Sequence, residues 1–211
     1  RDPLCVECQF RLARSYEFAG NLATAAERLE ILRTLGGGGY EHSLGTIWLL
    51  QGDPEAALAA FRSLDHHLYL QVQGEALALH DLGRADESAA KLAEMVSDWG
   101  DRQPIHVAMA YAYTERPDQA VEWIERSLEK NPTDLRTEFL RPLFWKLHDD
   151  PRWLPFLERI GKSPEQLAGI ELRLSLPTES PPALADSAVD FIHQLLLPCF
   201  QNLRKVSPLA F

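Results

Sequence analysis

Four copies of one short pattern constrain what this chain can fold into. The stretches "GNLATAAERL" from Gly20, "GDPEAALAAF" from Gly52, "GRADESAAKL" from Gly83 and "ERPDQAVEWI" from Glu115 each open on a turn residue and run into an Ala-rich segment. Their anchors are spaced by 32, 31 and 32 residues. Five residues after each anchor stands a small side chain (Ala25, Ala57, Ser88, Ala120), and nine after it a large apolar one (Leu29, Phe61, Leu92, Ile124). Seven before each anchor the side chain is again small (Ala13, Gly45, Ala76, Ala108), and four before it is large (Tyr16, Trp48, Leu79, Tyr111). Apolar periodicity on both sides of a turn predicts two short antiparallel helices per unit. The small residues let the paired helices approach, and the large ones fill the space between neighbouring pairs. No single pair can bury its apolar face alone, so stacking must supply the core.

The turns agree with this reading. Gly20, Gly52 and Gly83 suit helix-ending positions that need a positive φ. Pro54 and Pro117 suit the first turn of a helix, where a missing N–H costs nothing. "LRTLGGGGYEH" between the first two units cannot continue a helix through four glycines and reads as a slack inter-unit loop. A phosphate-cradling loop would require a strand before it and a Lys or helix start after it.

These columns resemble the tetratricopeptide repeat, with Pro132 in "SLEKNPTD" at the place of that family's proline near the repeat end. The period is shorter than the family's ~34 residues, which implies trimmed loops, and "TERP" stands where the fourth unit would carry a Gly-containing turn. Residues 5–160, ending in "LRPLFWKLHDDPRWLPFLERIG", are also similar to the C-terminal tetratricopeptide region of bacterial multidomain proteins. In those proteins the region follows a cyclase catalytic domain or a winged-helix DNA-binding domain. The resemblance implies an all-α fold of antiparallel helix pairs stacked in a right-handed superhelical solenoid. It also implies a protein-interaction or assembly role within a larger cytoplasmic regulatory protein, with any catalytic or DNA-binding part upstream of Arg1. No cyclase residue can be placed on this sequence.

Residues 1–132 are thus expected to form four helix pairs, 133–170 a degenerate helical cap, and 171–211 a linker with an apolar tail segment. In the cap, Pro142 and Pro151 break the helical texture, and Leu143, Phe144, Trp145, Leu147, Trp153, Phe156 and Leu157 offer an apolar plug. Ser163 is placed to cap a short helix with Glu165 or Gln166 in its first turn. "IELRLSL" alternates like a short strand. Residues 183–200 read as a short helix whose apolar face (Phe191, Ile192, Leu195, Leu196, Leu197) should dock on the chain itself or on another copy, because isolated apolar surface is costly.

Composition narrows the function classes. The formal net charge of −10 disfavours a phosphate-backbone binder, which carries a basic stripe. No apolar run approaches the ~18 residues of a membrane span. Cys5-x-x-Cys8 begins a helical unit without the strand a redox pair expects, and a zinc site would need two more ligands. A helical scaffold using Cys5 and Cys8 for metal or enzyme chemistry is the alternative function. Small, semi-buried packing residues are the plainer reading. His42, His80 and His106 fall on successive first helices, where a metal shared between units is conceivable, but matching Asp or Glu companions are missing. His66-His67, Asp149 and Asp150 read as solvated turn residues. No enzyme signature stands out, and no cofactor is expected.

A partner should meet the concave side, lined by the first helix of each pair. One residue past the small packing residue gives Arg14, Thr46, Leu77 and Met109. Four past it gives Glu17, Leu49, His80 and Ala112, and three before it gives Phe10, His42, Gln73 and Ile105. This mixed surface suits an apolar helix or an extended segment: a foreign protein or peptide, the chain's own tail, or a second copy in a homodimer.

Overall fold

A computed structural model describes residues 6–34, 40–130 and 138–169. These residues divide into two compact units that meet between Asp150 and Pro151.

The first unit is a stack of four helix pairs: α1 (Val6–Phe18) with α2 (Leu22–Thr34), α3 (Glu41–Leu50) with α4 (Pro54–Arg62), α5 (Leu68–Asp81) with α6 (Ala85–Trp99), and α7 (Pro104–Tyr113) with α8 (Pro117–Lys130). Each pair packs internally, and α3, α5 and α7 also pack against one another. A 3-10 helix, Pro142–Leu147, then packs on α7. Its Leu143, Phe144 and Leu147 are buried. The second unit contains α9 (Trp153–Arg159) and α10 (Pro164–Ala168), the latter opened by a capping box between Ser163 and Gln166. The unit boundary falls inside the 133–170 stretch expected as a single cap. The four-glycine loop, Cys5, Pro132, the "IELRLSL" segment and the apolar tail lie outside the described residues.

The packing columns explain the stack. Ala13, Ala25, Ala57, Ala76, Ala108 and Ala120 are all at or below 1% exposure, so their methyls sit at the helix–helix contacts. In the third pair the small residue is Ser88, and its hydroxyl donates to the Ala76 carbonyl 2.8 Å away, so the polar atom is satisfied inside the pair. Ala57→Leu should therefore overpack the second pair and destabilise by about 1–3 kcal/mol. An equilibrium unfolding curve indistinguishable from wild type would show that the small column does not set the pair spacing.

The turns follow from backbone conformation. Gly20, Gly52 and Gly83 adopt φ of 77°, 84° and 72°, and Glu115 takes the equivalent place in the fourth pair with φ 59°. Its carboxylate accepts from Lys146 Nζ at 3.0 Å, which ties that turn to the 3-10 helix. An added Cβ at Gly83 would meet nothing within 4 Å. Gly83→Ala should thus cost about 1 kcal/mol through the left-handed backbone alone, and a denaturant midpoint equal to wild type would contradict that assignment.

Candidate functional site

The first helices of the four pairs share one face of the stack, and on it lies a recess of about 190 Å³. Phe10 and Arg14 come from α1, His42 and Ser43 from α3, Tyr69 and Leu70 from α5 and His106 from α7. Arg141, the N-cap of the 3-10 helix, completes the lining. One cavity therefore draws on all four pairs. Its walls are mixed: Phe10 packs against the Tyr40 ring at 5.1 Å, and Tyr69 meets His106 edge-on at 5.0 Å.

Gln73, fully buried on α5, organises the floor. Its Nε2 donates to the His106 carbonyl oxygen at 2.7 Å, and its Oε1 lies 3.2 Å from His106 Nδ1. The His42 ring is a further hydrogen-bond partner of Gln73. Burial, aided by the repulsion of nearby Arg141, pushes both imidazoles down to about 3, so they are neutral near pH 7. Two neutral imidazoles, on the first helices either side of α5, are thus held by one amide of α5.

The charged groups are Arg14, Arg141, Glu138 and Glu17. Arg141 Nε pairs with Glu138 Oε2 at 2.8 Å. The Arg14 guanidinium lies over the Phe18 ring at 5.1 Å, and no carboxylate or carbonyl accepts from it among the described residues. Burial, followed by repulsion from Arg141, lowers its pKa. Glu17 is 1% exposed, and its Oε1 has no hydrogen-bond partner. Burial raises its pKa against the opposing pull of Arg141 and Arg14.

The expected surface residues divide into three groups. Phe10, Arg14 and His42 line the recess. Gln73 and Glu17 lie beneath it, acting on its walls rather than facing a visitor. Thr46, Leu49, Leu77, Ile105, Met109 and Ala112 are buried at 7% exposure or less. Thr46 also donates its hydroxyl back to the His42 carbonyl at 2.9 Å, a bond internal to α3. His80 lies near the end of α5, within electrostatic reach of Glu115, and is not part of the recess. His42 of α3 and His106 of α7 both line the recess, whereas His80 of the intervening α5 does not, so the three do not form the shared metal site considered for them.

Ser43, Tyr69, Leu70, His106 and Arg141 join the lining without having been picked out as surface positions. In α7 the lining residue is His106, one place after Ile105, because Gln73 reaches the backbone and ring of residue 106. A tabulation of polar residues at both neighbouring positions would have caught His106 and Ser43. No local pattern marks Arg141, which follows the fourth pair at a distance no repeat register reaches.

Among the described residues no group of three or more His, Cys, Asp or Glu side chains is placed to hold a metal ion. Cys8 is exposed and disulfide-bonded, rather than the small semi-buried packing residue expected of it. His66 is exposed and bonds through Nδ1 to the neighbouring Asp65 carboxylate. Among the described residues no helix is long and apolar enough to cross a membrane.

The family model for the tetratricopeptide repeat matches residues 6–30 and 40–63. These segments carry α1 with α2 and α3 with α4, and they contribute half of the recess lining. No curated protein and no solved structure matches the chain significantly. The family match covers the first two helix pairs, and the third and fourth continue the same helix-pair packing, so the chain is similar to tetratricopeptide-repeat proteins over that stretch.

Proposed function

We propose that the chain is a non-catalytic interaction module that receives an apolar helix or extended segment of a protein along the face built by its first helices. The observation that carries this reading is the recess spanning α1, α3, α5 and α7, because a surface that crosses every pair is what a stack presents and a single pair cannot. Phe10, Tyr69 and Leu70 supply its apolar contacts, and Arg14 and His42 its polar ones. The occupant is a foreign protein segment, the chain's own residues 171–211, or another copy in a homodimer. The setting is a larger cytoplasmic regulatory protein.

A photo-crosslinking residue at Phe10 or Tyr69 tests the face, with one at Ile31 on α2, which is 39% exposed, as the control. Adducts should form from the first-helix positions and not from position 31, and equal yields from both would overturn the face assignment. Light scattering behind size exclusion on the whole chain and on a version ending at Pro177 distinguishes the occupants. A dimer that becomes a monomer on truncation identifies the tail as the interface, and a monomer in both forms leaves the face to a foreign segment.

A further inference from the structure

The recess is more than an apolar contact surface, because its polar groups are arranged for a ligand of definite charge. We propose that it binds a small free oxyacid, a monoanion carrying its own hydroxyl donor such as a hydroxycarboxylate, held by Arg14 and Arg141 at its acidic end and by the His42 and His106 imidazoles at its hydroxyl end. This goes beyond protein binding and stands without it.

Three features carry the inference. The first is charge. Arg14 and Arg141 line the same small cavity, while Glu138 forms its ion pair with Arg141 and reaches Arg14 only through space. Glu17, the other carboxyl near both arginines, is nearly inaccessible, and burial raises its pKa. Arg14 is thus left without an ion-pair partner of its own among the described residues, in a chain whose net charge is −10. A monoanion between the guanidiniums would relieve their repulsion and supply the acceptor that the Arg14 fork lacks.

The second is the hydrogen-bond sense of the imidazoles. Gln73 Nε2 is committed to the His106 carbonyl, so its Oε1 must be the atom facing the two rings. An amide oxygen only accepts, so in the neutral rings the nitrogen facing Gln73 carries the proton, an assignment made from the network. The remaining nitrogen of each ring is then a bare acceptor. Guanidiniums and bare imidazole nitrogens in one lining suit a ligand with an acid group and an O–H or N–H donor. Ser43 and Tyr69 add hydroxyls that can adapt to either.

The third is size. A cavity of about 190 Å³ is below the ~300 Å³ at which pockets for drug-sized ligands begin. A free acid of roughly ten or fewer non-hydrogen atoms fits it. Because the lining comes from all four pairs, such a ligand would also clamp the stack, and its binding should register as a rise in thermal stability.

The test uses the whole chain, with glycerate as the probe, propionate as an acid without the hydroxyl, glycerol as hydroxyls without the acid, and a blocked aspartyl dipeptide as an acid on a polypeptide. Calorimetry and thermal unfolding should show saturable 1:1 glycerate binding. Propionate should bind about tenfold more weakly and glycerol should not bind. Arg14→Gln and Arg141→Gln should each weaken glycerate by at least about tenfold, and Arg14→Lys should recover part of the loss because it restores the charge without the fork. Should the Gln variants fail to fold, proton NMR of the wild type decides: glycerate must shift the His42 and His106 ring signals and glycerol must not. Absence of saturable glycerate binding overturns the proposal. So do affinities that ignore Arg14 and Arg141, and so does a dipeptide that binds more tightly than glycerate, which would assign the pocket to an acidic side chain of a protein. None of these outcomes bears on the crosslinking result, so the two readings fail separately.

Discussion

Gly74→Ala should destabilise the chain by about 3 kcal/mol, near the top of the usual overpacking range. A Cβ at Gly74 would stand 2.2 Å from Phe61 Cδ1, and one at Gly45 would stand 2.7 Å from Cε1 of the same ring. Phe61, on α4, is fully buried. Its ring is thus held between the backbones of α3 and α5, two helices that belong to successive pairs. Neither backbone can retreat without opening the contact between pairs, so the added methyl must be accommodated by strain. Phe61→Leu in the Gly74→Ala background should give a double variant less destabilised than the sum of the two single changes, a coupling of about 1–2 kcal/mol. Chemical denaturation of the four proteins measures it. A Gly74→Ala cost below about 1 kcal/mol, or strictly additive effects, would mean the ring has room to move.

Acidification should have the second large effect. His42 and His106 have folded pKa values near 3 against an ordinary 6.5. Below pH 6.5 the unfolded chain therefore takes up protons that the folded chain refuses, so stability falls as pH falls from 6.5 toward 3. Each imidazole contributes roughly 1 kcal/mol per pH unit. Together they should remove about 3–4 kcal/mol between pH 6.5 and 5, in equal shares. Arg14, Arg141 and His67 surround His42, and Arg141 and His42 act on His106, all opposing protonation. Glu17 acts in the other direction: its raised folded pKa means the native state gains a proton before the unfolded state does, which offsets part of the loss on acidification. Thermal melts from pH 7.5 to 5 should show a falling midpoint, and His42→Gln with His106→Gln should flatten the slope. A wild-type slope that survives the double replacement would place the titrating groups elsewhere.

The stack was legible in the sequence because a repeated core imposes the same choice at the same place each time. Ala25, Ala57, Ser88 and Ala120 all had to be small for the pairs to close, and all are buried. The Gly74–Phe61 contact was not legible, because Gly74 lies outside the repeating columns and has no counterpart in the other pairs. The recess was legible only in part. Phe10, Arg14 and His42 line it, whereas Leu49, Leu77 and Met109, assigned to the same face by counting, are buried. A helix flanked on both sides within a stack presents a narrower free stripe than an isolated amphipathic helix, so counting from the packing residue overestimates what remains open. Arg141 is a tertiary contribution, brought in by the way the 3-10 helix caps α7.

Selection of peptide ligands from a random library, followed by amide hydrogen exchange on the complex, tests most directly whether the first-helix face receives a polypeptide segment. Protection on α1, α3, α5 and α7 with α2, α4, α6 and α8 unchanged is the predicted result. Protection centred on the second helices, or failure of the library to yield any ligand, would contradict the assignment of this stack as an interaction module working through that face.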